Sequence, residues 1–279
     1  MHFKIHAPTA MEYFSALVQS DAQFPLLEAA ISLTQETDPT LDMQQVLNMC
    51  DQMLDRLKRR IAADAPALHR LRMLNQYFFS ELGFACNLND QDDPDNFHMP
   101  AVLQSRRGSP MALAVIWLEL AQGLGLAAAG IGLPGRFMVK VNLPNAQVVI
   151  DLLSGRSLSP EDLSEWLEPL RPEHDSSEDD LHLFLQATPA RGVIALMLRS
   201  LQEIYRLRSD WSRMIAVLTR LLVLLPGTID AYRDRGLAYA ALGETTKAVQ
   251  DLARYLDDDP HAPDAAAVSA CLADLQRLL

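Results

Sequence analysis

Apolar positions in the first third of the chain recur at steps of three and four. In LDMQQVLNMCDQMLDRLKRRI the apolar set is Leu41, Val46, Leu47, Met49, Cys50, Met53, Leu54, Leu57 and Ile61. That spacing predicts an amphipathic helix, with Cys50 on its stripe as a small buried hydrophobe. APALHRLRMLNQYFFSELGF repeats the pattern and ends near Gly83, so residues 10–80 are expected to be helical. Residues 110–122 then read as apolar nearly all round, which marks a buried helix. Ser109 suits its N-cap and Pro110 its first position, and Gly123 and Gly125 end it. AAAGIGLP follows as a short strand. In RFMVKVNL, Phe137, Val139, Val141 and Leu143 alternate with Arg136, Met138, Lys140 and Asn142, as in a strand with two faces. LPNAQ supplies a tight turn, and QVVIDLL a third strand. The expectation is three antiparallel strands, at about 127–133, 136–143 and 146–153, against the helix, with Phe137, Val139 and Val141 toward the core. This is an α+β arrangement.

The segment PLRPEHDSSEDD, residues 169–180, reads as a linker. It divides the chain into a first domain, 1–175, and a second, 176–279. The second contains a repeat: Pro226 and Pro260, Tyr205 and Tyr239, and Leu218 and Leu252 are each 34 residues apart. IDAYRDRGLAYAALGETTKAVQDLARYLDDDP, residues 229–260, carries Tyr232, Gly236, Tyr239, Leu242, Gly243, Ala248, Tyr255 and Pro260 at tetratricopeptide positions. The preceding unit, about 195–228, keeps the length but has Gln202 where its sister has Gly236. Residues 263–279 are expected to cap the open apolar face as a final helix. Such an all-α module builds a groove for a protein partner. With two units rather than three it is expected to lean on the first domain.

Charge changes the picture in one respect. The net charge is −12, and residues 1–190 hold 13 Lys+Arg against 25 Asp+Glu, so the front carries the whole excess. An acidic front repels phosphate backbones, which argues against nucleic acid as a partner. No apolar run is long enough for a membrane span. MHFKIHAPTAMEY shows no secretory pattern, and a cytoplasmic location is expected. Cys50, Cys86 and Cys271 are odd in number and lack metal-ligand spacing, so neither disulfides nor zinc are expected. NLNDQDDPDNF, residues 87–97, departs from a calcium loop in having no Gly at its sixth position and no Glu at its twelfth. His69, His98, His174 and His182 lack a regular spacing. No metal or cofactor is expected.

Three segments, LGFACNLNDQDDPDNFHMPAVLQSRRGSPMALAV, GIGLPGRFMVKV and VVIDLLSGRSLSPEDL, followed by the repeats, together resemble the bacterial SirB-type proteins. That family joins a transglutaminase-like domain to tetratricopeptide repeats. The resemblance covers roughly residues 70–265. In active members of the wider superfamily a cysteine at the start of the buried helix is the nucleophile. A histidine on the next strand is the base, and an aspartate on the following strand orients it. The matching helix start here is Ser109-Pro110-Met111-Ala112, with no cysteine. The strand motif resembles Pro-Gly-His-Phe, but Pro134, Gly135 and Phe137 surround Arg136, and only Asp151 matches the third position. Arginine stays protonated and cannot act as a general base. The resemblance therefore implies a vestigial site of Ser109, Met111, Arg136 and Asp151 with no catalytic residue. Arg136 and Asp151 would form an ion pair, or lie apart as an exposed cation and a turn residue. The expected function is a non-catalytic interaction or regulatory protein. The rivals are a hydrolase or acyltransferase rebuilt on Cys86 and His98, and a module that binds a carboxylate ligand through Arg136.

Overall fold

The computed structural model describes residues 8–133, 135–144, 146–168 and 185–279. Contacts gather the chain into two compact units: Phe24–Ile194, and Met1–Gln23 together with Ala195–Leu279. This division differs from the sequence boundary at 175. The expected linker falls almost wholly outside the described residues. The first helix, α1 (Ala10–Leu17), packs on a helix of the repeats rather than on the helices that follow it in sequence.

In the Phe24–Ile194 unit, α2 (Leu26–Ser32) and α3 (Met43–Lys58) pack on each other. The next helix, α4 (Ala67–Asn75), runs directly into a π-helical turn, Gln76–Glu81. Asp42 caps α3 by accepting the Gln45 N–H at 3.1 Å. Cys50 is buried on the α3 stripe with Val46, Met53 and Leu57. After β1 (Ala85–Cys86) come α5 (Met99–Ser105), β2 (Arg107–Gly108) and α6 (Pro110–Gly123). The last of these is the all-apolar helix of the sequence. Ala112 to Trp117 are buried without a break, and α6 packs on α2, α3 and two strands of the main sheet. Its ends are satisfied: Ser109 Oγ accepts the Ala112 N–H at 3.1 Å, and the Leu124 carbonyl accepts from Arg70 Nη1 at 2.6 Å. Trp117, fully buried, donates its ring N–H to Asn75 Oδ1 at 3.0 Å.

The main sheet has four antiparallel strands in sequence order, β3 (Ala127–Leu133), β4 (Arg136–Leu143), β5 (Ala146–Asp151) and β6 (Arg156–Leu158). Two details differ from the sequence reading. The third strand stops at Asp151, because Leu153 N–H and the Ser154 hydroxyl both turn back to its carboxylate, and a fourth strand follows. The face expected to point away from the core is also covered. Met138 is fully buried with Ile131, Val149, Leu163 and Leu185, and Leu158 and Trp166 pack beside them. The cover includes α7 (Pro160–Leu167), whose capping box at Ser159 and Asp162 starts it cleanly.

The other unit is helical. It holds α8 (Ala190–Leu207) from Ala195 onward, α9 (Trp211–Leu224), α10 (Ile229–Ala241), α11 (Thr245–Asp258) and α12 (Ala265–Gln276). The turn of the first pair matches that of the second at an offset of 34 residues. Asp210 N–H reaches Tyr205 O, and Glu244 N–H reaches Tyr239 O, each at 2.9 Å. Gly236 explains the close approach of α10 and α11, since a Cβ there would stand 2.8 Å from Leu252 Cδ2. In the first unit the equivalent Gln202 instead donates to Asp234 at 2.7 Å. α1 packs against α9, with Phe14 fully buried and Arg220 lying over its ring. The short repeat array therefore gains a helix from the start of the chain.

Candidate functional site

The residues matching a transglutaminase-like site occupy three places in the Phe24–Ile194 unit. Ser109 is 7% exposed at the mouth of α6. Its oxygen is engaged by the first turn, and its own N–H donates to Asn96 O at 2.8 Å. Met111 lies one turn in, partly exposed. Neither presents a nucleophile with a base beside it.

Arg136 opens β4 directly after Gly135, which adopts φ +72°. In the β4–β5 register Met138 stands opposite Asp151, so Arg136, two residues earlier on the same face, reaches it diagonally. Arg136 Nη1 lies 4.0 Å from Asp151 Oδ2. That is an ion pair without a hydrogen bond, and Nη1 is buried with no hydrogen-bond partner. The guanidinium lies over the indole of Trp166, on α7. Asp151 is 3% exposed and is held chiefly by its own turn. It accepts the Leu153 N–H at 3.1 Å and the Ser154 hydroxyl at 2.8 Å. Gly155 closes that turn at φ +71°, with the Phe79 ring pressed against it from the π-helical turn. Both sequence readings of the pair hold in part: Asp151 is a turn residue, and it also faces Arg136.

Cys86 sits elsewhere than its place in the sequence suggested. The expectation was a loop residue remote from the helix. Instead Cys86 belongs to β1, which pairs in parallel with β2 so that Cys86 lies beside Gly108, one residue before Ser109. Its Sγ donates to Leu152 O at 3.4 Å, next to Asp151. The one cysteine of this unit near the helix mouth thus enters from a different strand. No local pattern signals it, because a two-residue strand has no periodicity to read. Its chemistry is unfavourable for attack: burial, and secondarily the Asp151 charge, push the thiol up to about 12, so at neutral pH it is the protonated form. His98, proposed as its base, is buried at the N-terminus of α5 with Nδ1 3.2 Å from Asp95 Oδ1. Trp166 was also missed; a lone Trp on a short amphipathic helix reads as packing until the sheet brings Arg136 beneath it.

His69 is exposed on α4, and His174 and His182 lie outside the described residues. Among the described residues no group of three or more His, Cys, Asp or Glu is placed to hold a metal, and no helix is long and apolar enough to cross a membrane.

Comparison with known proteins gives the same two parts. Residues 44–199 match the transglutaminase-like superfamily, and residues 201–273 match a tetratricopeptide repeat family. A UPF0162 protein of Xylella fastidiosa is 30% identical over 256 residues, covering 91% of each chain. The UPF0162 protein PA3419 of Pseudomonas aeruginosa is 28% identical over 237 residues, covering 84% of this chain and 86% of its own. A crystal structure of menin, described as revealing the binding site for Mixed Lineage Leukemia protein, aligns with a TM-score of 0.39 at 12% identity. It covers 90% of this chain and 72% of that one, and the score is too low to carry an argument. With its transglutaminase-like domain followed by tetratricopeptide repeats, the chain belongs to the bacterial UPF0162, SirB-type family.

Proposed function

We propose that this is a non-catalytic interaction or regulatory protein, in which a degenerate transglutaminase-like domain accompanies a repeat module that binds a protein partner. The observation that carries the reading is the state of Arg136. The group standing where the family has its general base is a permanently charged guanidinium, packed on Trp166 and facing Asp151. The nucleophile position offers only a capping hydroxyl at Ser109, and the nearby Cys86 thiol is held protonated. Loss of nucleophile and base together removes covalent catalysis by orders of magnitude. The repeats support the binding half, because stacked helix pairs of this kind present an extended surface to partners.

Two measurements test it. The intact protein is incubated with a glutamine-bearing protein and a fluorescent primary amine, with Cys86→Ala beside it. No amine incorporation is expected, and turnover abolished by Cys86→Ala would reverse the reading. Affinity capture then compares the intact chain with Leu237→Asp, a change at a 41% exposed leucine on α10. A partner retained by the first and lost by the second is expected; a partner indifferent to the repeat surface would move the binding role elsewhere.

A further inference from the structure

The π-helical turn Gln76–Glu81 sets down one side chain that the fold leaves unfinished. Tyr77 is 3% exposed, and its hydroxyl is buried with no hydrogen-bond partner. A buried phenol ordinarily finds a partner, because an unmet donor away from water is costly. The backbone beneath it is unusual as well. Leu82 N–H reaches back five residues to Tyr77 O at 2.8 Å, and single turns of this kind recur at functional sites.

The wall beside Tyr77 is cationic. The Arg60 guanidinium stands 5.2 Å from the centre of the Tyr77 ring. Met53, Arg56 and Arg60 lie on successive turns along one side of α3 and the turn that ends it. At the Met53 end is Arg106. Its Nη1 donates to Met53 Sδ at 3.6 Å, and its guanidinium lies 4.7 Å over the Phe84 ring. Among the described residues no carboxylate pairs with it. A partly buried guanidinium whose side-chain hydrogen bond goes to a thioether is poorly compensated, because sulfur is a weak acceptor. Burial correspondingly lowers its pKa from the usual arginine value. Its backbone is also in the left-handed region, at φ 60° and ψ 21°, and its carbonyl is tied to the Ala85 N–H. Strained backbone aims this side chain, and three arginines gather near one tyrosine in a chain of net charge −12.

We propose that Tyr77 and Arg106 form a binding site for a small oxyanion, a carboxylate or phosphate group, with Arg56 and Arg60 at its mouth. The phenol O–H and the guanidinium N–H groups are donors seeking acceptors, and an oxyanion supplies acceptors with the complementary charge. Arg60 is the movable piece. Its pair with Glu81 joins side chains that are 47% and 36% exposed, and such pairs contribute little. Arg60 therefore swings aside at low cost to admit the anion. The site shares no residue with Arg136 and Asp151, and its success or failure is independent of the function proposed above.

The test is thermal unfolding of the full chain at low salt, titrated separately with sodium phosphate and sodium acetate against sodium chloride of matched ionic strength. A saturable rise in Tm is expected from at least one of the two, and the stronger arm identifies the group recognised. Tyr77→Phe keeps the ring and removes the hydroxyl. It should fold, with an anion-free Tm no lower than wild type, and bind the anion about tenfold more weakly. Arg106→Asn suits the left-handed backbone and should show the same loss, while Arg72→Gln, exposed on α4, should respond as wild type does. Absence of a saturable shift beyond chloride with both anions would overturn the site, as would an unchanged response in Tyr77→Phe. Should Arg106→Asn fail to fold, the Tyr77→Phe comparison decides alone.

Discussion

Arg136 Nη1 stands 4.0 Å from Asp151 Oδ2, while the aspartate's shorter bonds go to Leu153 N–H and the Ser154 hydroxyl. The two side chains are unlike in setting, since that of Asp151 is 5% exposed and that of Arg136 32%. The turn, more than the arginine, holds the carboxylate. Asp151→Ala is expected to cost about 3 kcal/mol, because it strands two donors at the end of β5. Arg136→Ala should cost about 1 kcal/mol, mostly through lost packing on Trp166. The coupling between them in a double-mutant cycle, read by urea unfolding, should stay below about 1 kcal/mol. A coupling above about 2 kcal/mol would make the arginine the main partner of the aspartate.

The two buried thiols give a pH signature. Burial first, and neighbouring carboxylates second, push both Cys50 and Cys86 up to about 12. The unfolded chain releases these protons near pH 8.5, and the native one keeps them. Their contribution to stability is therefore complete below about pH 8.5. It falls from there to about pH 12 with a limiting slope of about 1.4 kcal/mol per pH unit for each thiol. Cys86→Ala should flatten that fall. Alkylation by iodoacetamide at pH 8 provides the second measurement. Cys271, partly exposed, should react first, with Cys50 and Cys86 slower by on the order of a thousandfold until the chain is unfolded.

The parts of this protein with a strong period were legible in advance. The all-apolar run after Ser109 became α6, and alternation over residues 136–143 became β4. The 34-residue offset became two matching helix turns. What could not be read depends on contacts between segments distant in sequence. The pairing of β1 with β2 brings Cys86 beside Gly108, and two residues are too few to show a strand. Met138 alternated with Arg136 and Lys140 and so looked outward, but α7 and Leu185 cover that face. The π-helical turn at Tyr77 was hidden because its apolar spacing is continuous with the helix before it. In the candidate site the replacement of the family's histidine by Arg136 was legible. Its seat over Trp166 was not.

Within the repeats, two ion pairs of the same chemistry should differ in weight. Arg235 meets Asp251 with two bonds, Nε to Oδ2 at 2.6 Å and Nη2 to Oδ1 at 2.9 Å, and the side chains are 17% and 10% exposed. Arg199 meets Asp230 with one bond at 2.9 Å, and both are 44% exposed. Asp251→Ala leaves a guanidinium in a largely buried seat between α10 and α11, and is expected to cost about 3 kcal/mol. Asp230→Ala is expected to cost less than about 1 kcal/mol, and less still in 0.5 M salt. Equal losses in chemical denaturation would show that burial and bidentate geometry do not set the difference.

The turns that close the two helix pairs differ in a way that also predicts stability. Ser209 and Gly243, 34 residues apart, both adopt the left-handed backbone, at φ 53° and φ 75°. Each donates its N–H three residues back, to Arg206 O and Ala240 O, and the following residue bonds four positions before them in the same register. Glycine takes this conformation freely, whereas a residue with a Cβ is strained in it by about 1 kcal/mol. Ser209→Gly relieves the strain but gives the unfolded chain more freedom, so a net gain of about 0.5 kcal/mol is expected. Gly243→Ala runs the other way. A Cβ there meets nothing within 4 Å, so its expected loss of about 1 kcal/mol comes from backbone conformation alone. The two variants should shift the Tm of the intact protein in opposite directions. A neutral Gly243→Ala would mean that the turn relaxes out of the left-handed region, and the proposed gain at Ser209 would then vanish with it.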